Sequence, residues 1–291
     1  MNGILIINKH KGCTSHDIVY KVKKALNEKV GHTGTLDPMA TGVLPLLIGK
    51  GTLCSKYLVN HDKIYKVSLE LGKKTNTADI EGDIIEEKEV NDTILEKNNI
   101  EKVLKEFLGK QEQIPPIYSA IKVNGKKLYE YARKGQDVEV KPRIIEIYDI
   151  QLLNIDKENK QIQFGVSCSK GTYIRSLCED IAKRLGTVGY MVGLQRTRVG
   201  EFDIKDSIDI EELIKNKDDS KFLQENIISI EKIFETSKEI ILTNKKIELL
   251  LNGVQLSNEN EDGVYRVYNT DKKFIGIATI KNRLLKRDII L

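Results

Sequence analysis

Gly31 to Leu46, GHTGTLDPMATGVLPL, constrains the fold of this chain more than any other stretch. Gly31, Gly34 and Gly42 permit backbone angles closed to other residues, and Pro38 fixes its own φ while pushing Asp37 towards an extended conformation. The apolar run Val43-Leu44-Pro45-Leu46-Leu47-Ile48 can then anchor the loop in a core. The segment therefore holds one carboxylate, Asp37, in a fixed frame. A lone aspartate in a glycine loop is ordinarily a turn or cap residue, so the rest of the chain must decide whether this one is chemical.

The 291 residues suffice for one large domain and a small one. With 31% charged and 40% hydrophobic residues, the composition is that of a globular protein. The longest apolar runs are about six residues, well below the ~20 needed to span a bilayer. The amino terminus, MNGILIINKHKG, has no basic region ahead of its short apolar core and reads as a first strand rather than a secretion signal. Cys13, Cys54, Cys168 and Cys178 are scattered, with no metal-ligand spacing, and read as reduced thiols of a cytoplasmic protein. Gly42 to Lys50 imitates a phosphate-binding loop, but its glycines stand too far apart and Gly51, not Ser or Thr, follows the lysine. No cofactor or metal is expected.

Net charge is only +4, but it is segregated. Basic groups cluster at Lys21, Lys23 and Lys24, at Lys122, Lys126 and Lys127, at Arg196 and Arg198, and at Lys281, Arg283, Lys286 and Arg287. Acidic residues concentrate in 79–112 and 201–239. One basic face could track a phosphate backbone while the other is solvated; each cluster taken singly reads as ordinary wet surface rather than a contact.

Periodicity predicts a strand at Ile4–Ile7, a helix capped by Thr14 or Ser15 and striped by Ile18, Val19, Val22, Ala25 and Leu26, and a strand over 64–71. Helices are expected near 100–108, ending at Gly109, and from Ile174 to Leu185, stopped by Gly186; strands are expected over 162–168 and at VGLQRTRVG. Residues 113–143 are an excursion: Pro115-Pro116, a hairpin turn at Asn124-Gly125, a short helix from Leu128 to Lys134, and Tyr118, Tyr129 and Tyr131 among basic groups. A composition shift near 240 marks a small last domain with one helix, LTNKKIELLLNG, and two strands, VYRVYN and FIGIATI. The expected fold is α+β: a mixed, mostly antiparallel sheet with helices over residues 1–238, an insertion at about 113–143, and a β-rich module over 239–291.

The Gly31–Leu46 loop, together with KIYKV (63–67), TNTADIEG (75–82), KGTYIRSL (170–177) and VGLQRTRVG (192–200), resembles the motif set of the TruB family of pseudouridine synthases, which modify uridine 55 in the T loop of tRNA. The resemblance implies that Asp37 is the catalytic nucleophile and Arg175 its ion partner, for which lysine would lack the planar bidentate fork. It implies that the Tyr65 ring stacks on the extracted base, with its hydroxyl a candidate for proton transfer at C5, and that Leu194 packs against the pocket from the opposite side. It assigns His32 to filling the gap left by the flipped uridine, and Lys170 to substrate binding. Lys9, with Asn8 and Gly12, matches the opening motif and joins the substrate-binding set as a support of the loop. Asp79 is read as scaffolding. The insertion resembles the family's RNA-gripping thumb, and the last module resembles a PUA-like RNA-binding domain. The implied activity is an isomerisation without redox change on the tRNA T stem-loop, by a monomer needing no protein partner and no membrane. Two alternatives stand beside it: a non-catalytic tRNA-binding protein that acts as a folding chaperone, and a synthase of the same superfamily acting on another RNA, such as a guide-RNA-directed enzyme.

Overall fold

The computed structural model describes residues 1–59, 61–136 and 138–291. Its main sheet is built from β1 (Gly3–Lys9), β2 (Val30–His32), β3 (Thr41–Ile48), β4 (Lys63–Leu71), β5 (Gly109–Gln113), β6 (Arg143–Asp156), β7 (Gln161–Cys168), β8 (Gly189–Val199) and β9 (Ile227–Ser229). Among the described residues the strand order is β9-β1-β3-β8-β4-β7-β6-β5, with β2 added on β3 and Phe202–Asp203 on β8. Pairings are antiparallel except where β8 meets β3 in parallel, Gln195 opposite Thr41 and Arg196 opposite Gly42. That junction needs a glycine: Gly42 has φ +101°, and a Cβ there would stand 2.2 Å from the Arg196 carbonyl oxygen.

The first strand is apolar on both faces because both are covered. Leu5 and Ile7 point into the larger core, which takes Ile18, Val22 and Leu26 from α1 (Ser15–Leu26) and Leu177, Ile181 and Ala182 from α4 (Ile174–Arg184). Between these helices in chain order lie α2 (Lys97–Lys105) and α3 (Leu128–Ala132). Ile4 and Ile6 point the other way, into a second core shared with Phe234, Ile277 and Ile289. The last module thus lies directly on the back of the sheet.

That module is a five-stranded sheet of β10 (Lys238–Leu242), β11 (Leu256–Ser257), β12 (Gly263–Asn269), β13 (Phe274–Lys281) and β14 (Leu284–Ile290), in the order β10-β12-β13-β14-β11, with α5 (Asn244–Leu251) packed on it. Lys56 and Tyr57 of the main body both reach Asp288 of β14. No described helix is long and apolar enough to cross a membrane.

Thr14 caps α1 in a reciprocal box with Asp17, which frees Ser15 for another task described below. The helix expected near 100–108 begins earlier, at Lys97, and Gly109 opens β5 rather than merely ending the helix. The insertion contains the expected hairpin, Lys122–Val123 paired with Lys126–Lys127. Asn124 and Gly125 both have positive φ at its turn, the geometry of a primed two-residue loop. Of the expected 128–134 helix, residues 128–132 are helical.

Candidate active site

The Asp37 loop, between β2 and β3, is tied down from three sides. Lys9 is 0% exposed, and its ammonium donates to the carbonyls of Ala40 at 2.7 Å, His10 at 3.0 Å and Pro38 at 3.2 Å. Burial lowers its pKa from the ordinary lysine value. Ser15 clamps the loop through Leu36, accepting from the backbone N–H at 2.9 Å and donating to the carbonyl at 3.1 Å. On the third side, Arg196 donates from Nε to the Val43 carbonyl and from Nη2 to the Gly34 carbonyl, both at 2.8 Å. Gly34, with φ +72°, lies against that guanidinium.

The clamped loop presents Asp37 to Arg175 at the start of α4. Arg175 Nε lies 3.1 Å from Asp37 Oδ2, and Nη2 donates to Oδ1 at 3.5 Å. The guanidinium side chain is 8% exposed and the carboxylate side chain 34%, so the anion opens towards solvent while its cation is buried. Every other edge of Arg175 is occupied. Nη1 stands 3.3 Å from Asp79 Oδ2 and donates to the Thr77 carbonyl at 3.2 Å; Nη2 donates to the Tyr118 carbonyl at 2.9 Å. Asp79 is itself held by the Thr77 hydroxyl at 2.7 Å and the Glu81 N–H at 3.1 Å. The scaffolding aspartate of the TNTADIEG string therefore fixes the cation that meets the nucleophile candidate.

Burial raises the Asp37 pKa above the ordinary 3.8; Arg175 opposes this, Asp79 adds to it, and Lys9 opposes it. The root of the insertion locks the start of α4. Gln113 exchanges two hydrogen bonds with the Tyr173 backbone, at 3.0 and 2.8 Å, and the Ser176 hydroxyl donates to the Ile114 carbonyl at 2.9 Å.

A cavity of about 770 Å³ opens over this pair, lined by Asp37, Tyr65, Tyr118, Lys170, Arg175 and Leu194 among others. Tyr65 comes from β4, Leu194 from β8 and Tyr129 from the insertion. Five of the seven predicted site residues thus share one hollow. Lys9 and His32 are not among its lining residues. Full burial of Lys9 suits the support of the loop expected of it. His32 lies on β2 opposite Leu46; its Nδ1 has no hydrogen-bond partner among the described residues. Burial and then Arg196 lower its pKa, leaving the ring neutral at pH 7.

Arg196 overturns one sequence expectation. Its nearness to Arg198 in sequence predicts a basic surface cluster, yet it is 1% exposed and lines the cavity, while Arg198 is exposed. The β8–β4 register shifts between Arg196 and Arg198, and such an irregularity re-aims side chains along a strand. Ser15, one of the two cap candidates of the sequence, serves as the Leu36 clamp instead. Among the described residues no group of three or more His, Cys, Asp or Glu is arranged to hold a metal.

This constellation has relatives. A model described as TruB family pseudouridylate synthase (N terminal domain) matches residues 21–174. Two C-terminal models follow: tRNA pseudouridylate synthase B C-terminal domain over 175–235, and Pseudouridine synthase II TruB, C-terminal over 239–286. The chain is 46% identical over 289 residues to the tRNA pseudouridine synthase B of Clostridium kluyveri, covering 97% of this chain and 96% of that one. It is 43% identical over 293 residues to that of Clostridium acetobutylicum, covering 98% of both. Among solved structures, a Cbf5-Nop10-Gar1 complex contains a chain that superposes with a TM-score of 0.71 at 25% identity, covering 99% of this chain and 84% of that one. The chain belongs to the TruB family of pseudouridylate synthases.

Proposed function

We propose that the protein converts uridine 55 in the T loop of tRNA to pseudouridine, using Asp37 as nucleophile. The observation that carries this reading is the Asp37–Arg175 pair, 3.1 Å apart beneath a cavity able to take one extruded nucleoside. The reaction breaks the N1–C1′ bond, turns the uracil and rejoins it through C5, so no atom is gained and no electron is transferred. A carboxylate divides such a step by forming a covalent intermediate. It must be ionised at working pH despite burial, which is the task the Arg175 guanidinium fits. The Tyr65 ring, which lines the cavity together with Leu194, stacks on the extracted base and offsets part of the few kcal/mol that unstacking costs. Its hydroxyl takes the C5 proton. Lys170, exposed at the rim, draws in the RNA backbone, and phosphate contacts from the insertion and the last module set register rather than read bases. His32 fills the space vacated in the T loop. In this reading the protein works in the cytoplasm as a monomer without a protein partner.

The test is a substrate panel: unmodified tRNA transcripts, isolated T stem-loops and ribosomal RNA fragments, each incubated with the protein and mapped for pseudouridine at every uridine. Conversion at one T-loop uridine in tRNA and stem-loop supports the reading. Refolding of tRNA without conversion would leave the chaperone, and conversion only of ribosomal fragments with an added guide would leave the guide-directed enzyme.

A further inference from the structure

Arg196 is a buried cation without an anion. Its guanidinium is 1% exposed, donates to two carbonyls, and among the described residues none of its contacts is a carboxylate. Its charge also acts on Lys63, His32 and Lys9, none of them an anion. Holding an unpaired guanidinium in such a place is costly unless an anion arrives during the reaction. The cations that act on Asp37 are Arg175 and Lys9, so the nucleophile candidate has its own partner.

Arg196 instead lies directly across the strand pairing from Tyr65, and both line the cavity. The groups facing the Tyr65 hydroxyl are Arg196 on β8, Cys168 on β7 and Asp37 in the loop. Burial and the two acidic neighbours disfavour the phenolate; Arg196 favours it by charge and by hydrogen bonding.

We propose that Arg196 is the positioning residue of Tyr65: fixed between the Gly34 and Val43 carbonyls, its guanidinium is the counter-ion of the tyrosinate that removes the C5 proton. This rests on the reading of the protein as a uridine isomerase. Once C5 has bonded to C1′ it carries both the new carbon bond and its hydrogen. The Tyr65 oxygen takes that proton, the C–H electron pair restores the ring double bond, and N1, freed from the sugar, acquires a proton from water. Tyr65 then returns its proton to solvent, so the isomerisation balances. Two arginines thus serve two oxygen anions, Arg175 for Asp37 and Arg196 for Tyr65.

The experiment follows tritium release from tRNA carrying [5-³H]uridine under single-turnover conditions, across pH, for the parent, Arg196→Lys and Arg196→Met. The Met variant is expected to lose about 10²-fold in release rate with unchanged tRNA affinity, and its rate to climb with pH beyond the point where the parent levels off. The Lys variant, which keeps a charge, is expected to lose less. Replacing Tyr65 by the more acidic 3,5-difluorotyrosine should recover up to about tenfold for each unit of pKa restored in whichever variant folds. A pH profile superimposable on the parent's, or no recovery with the acidified phenol, would overturn the assignment and leave Arg196 a clamp for the loop. A parent that releases no tritium would instead overturn the isomerase reading itself, before any variant is compared.

Discussion

Replacing Arg175 by lysine separates the geometry of the cation from its charge. Arg175 makes five polar contacts: two to Asp37, one to Asp79, and one each to the carbonyls of Thr77 and Tyr118. A lysine ammonium has three donors at one point and no planar fork, so it cannot reach oxygens lying on opposite edges of a guanidinium. At least two contacts are lost. Charge-assisted hydrogen bonds contribute about 1.5–3 kcal/mol each in a buried setting, and this side chain is 8% exposed. Part of that loss falls on stability, because the buried Asp79 loses its partner. The remainder, about 3 kcal/mol, falls on the orientation and ionisation of Asp37 and corresponds to roughly 10²-fold in rate. The assay is single-turnover conversion of a tRNA transcript with saturating enzyme, with affinity measured separately by filter binding. Arg175→Lys is expected to bind tRNA as the parent does, unfold at lower temperature, and convert uridine about 10²-fold more slowly. A folded Arg175→Lys enzyme with a rate within about threefold of the parent would refute the reasoning, since under 1 kcal/mol would then separate fork from point charge.

Asp37 must be ionised to react, and burial has raised its pKa above 3.8, so the conversion rate is expected to fall on acidification with an inflection above that value; Asp79→Asn, which removes a repelling charge, should move the inflection down. Stability has the opposite sign. A carboxyl whose folded pKa is raised favours the fold below its unfolded value and loses that contribution as pH rises through the folded value, so Asp37→Asn is expected to melt higher than the parent at pH 7 and to converge with it in acid. Gly42→Ala places a Cβ 2.2 Å from the Arg196 carbonyl oxygen at φ +101° and should cost about 3 kcal/mol or more in denaturant unfolding. Lys9→Met strips the Pro38, Ala40 and His10 carbonyls of their donor; about 2 kcal/mol of stability should be lost, and the turnover rate should fall more than tRNA affinity.

Much of the site was legible because its spacing in the chain is local. The glycines and proline around Asp37, the tyrosine in an alternating strand and the arginine just after the start of a patterned helix are each visible in short strings. Arg196 was not, because Leu194, Arg196 and Arg198 share one parity along β8 and period-two reasoning assigns them one face; the register shift after Arg196 separates them. Ser15 shows in sequence only as a possible cap, and what the Asp79 scaffold holds is hidden for a similar reason: the partners Leu36 and Arg175 are remote in sequence or lie on a different element. In the fold, β5 escaped notice because Lys110, Gln111 and Glu112 show no apolar alternation at this edge of the sheet. The contact of the last module with the back of β1 was also hidden, since Ile4-Leu5-Ile6-Ile7 is equally apolar on both faces and names no partner for either.

The central claim is that the Asp37 carboxylate attacks a uridine swung out of the RNA. Its most direct test compares the parent with Asp37→Asn, a change of one oxygen to an amide, in mapping pseudouridine on a tRNA transcript with enzyme in excess. The account expects complete conversion at the T-loop uridine by the parent and none above background by the variant, with tRNA still bound. Conversion by folded Asp37→Asn at a rate near the parent's would contradict it.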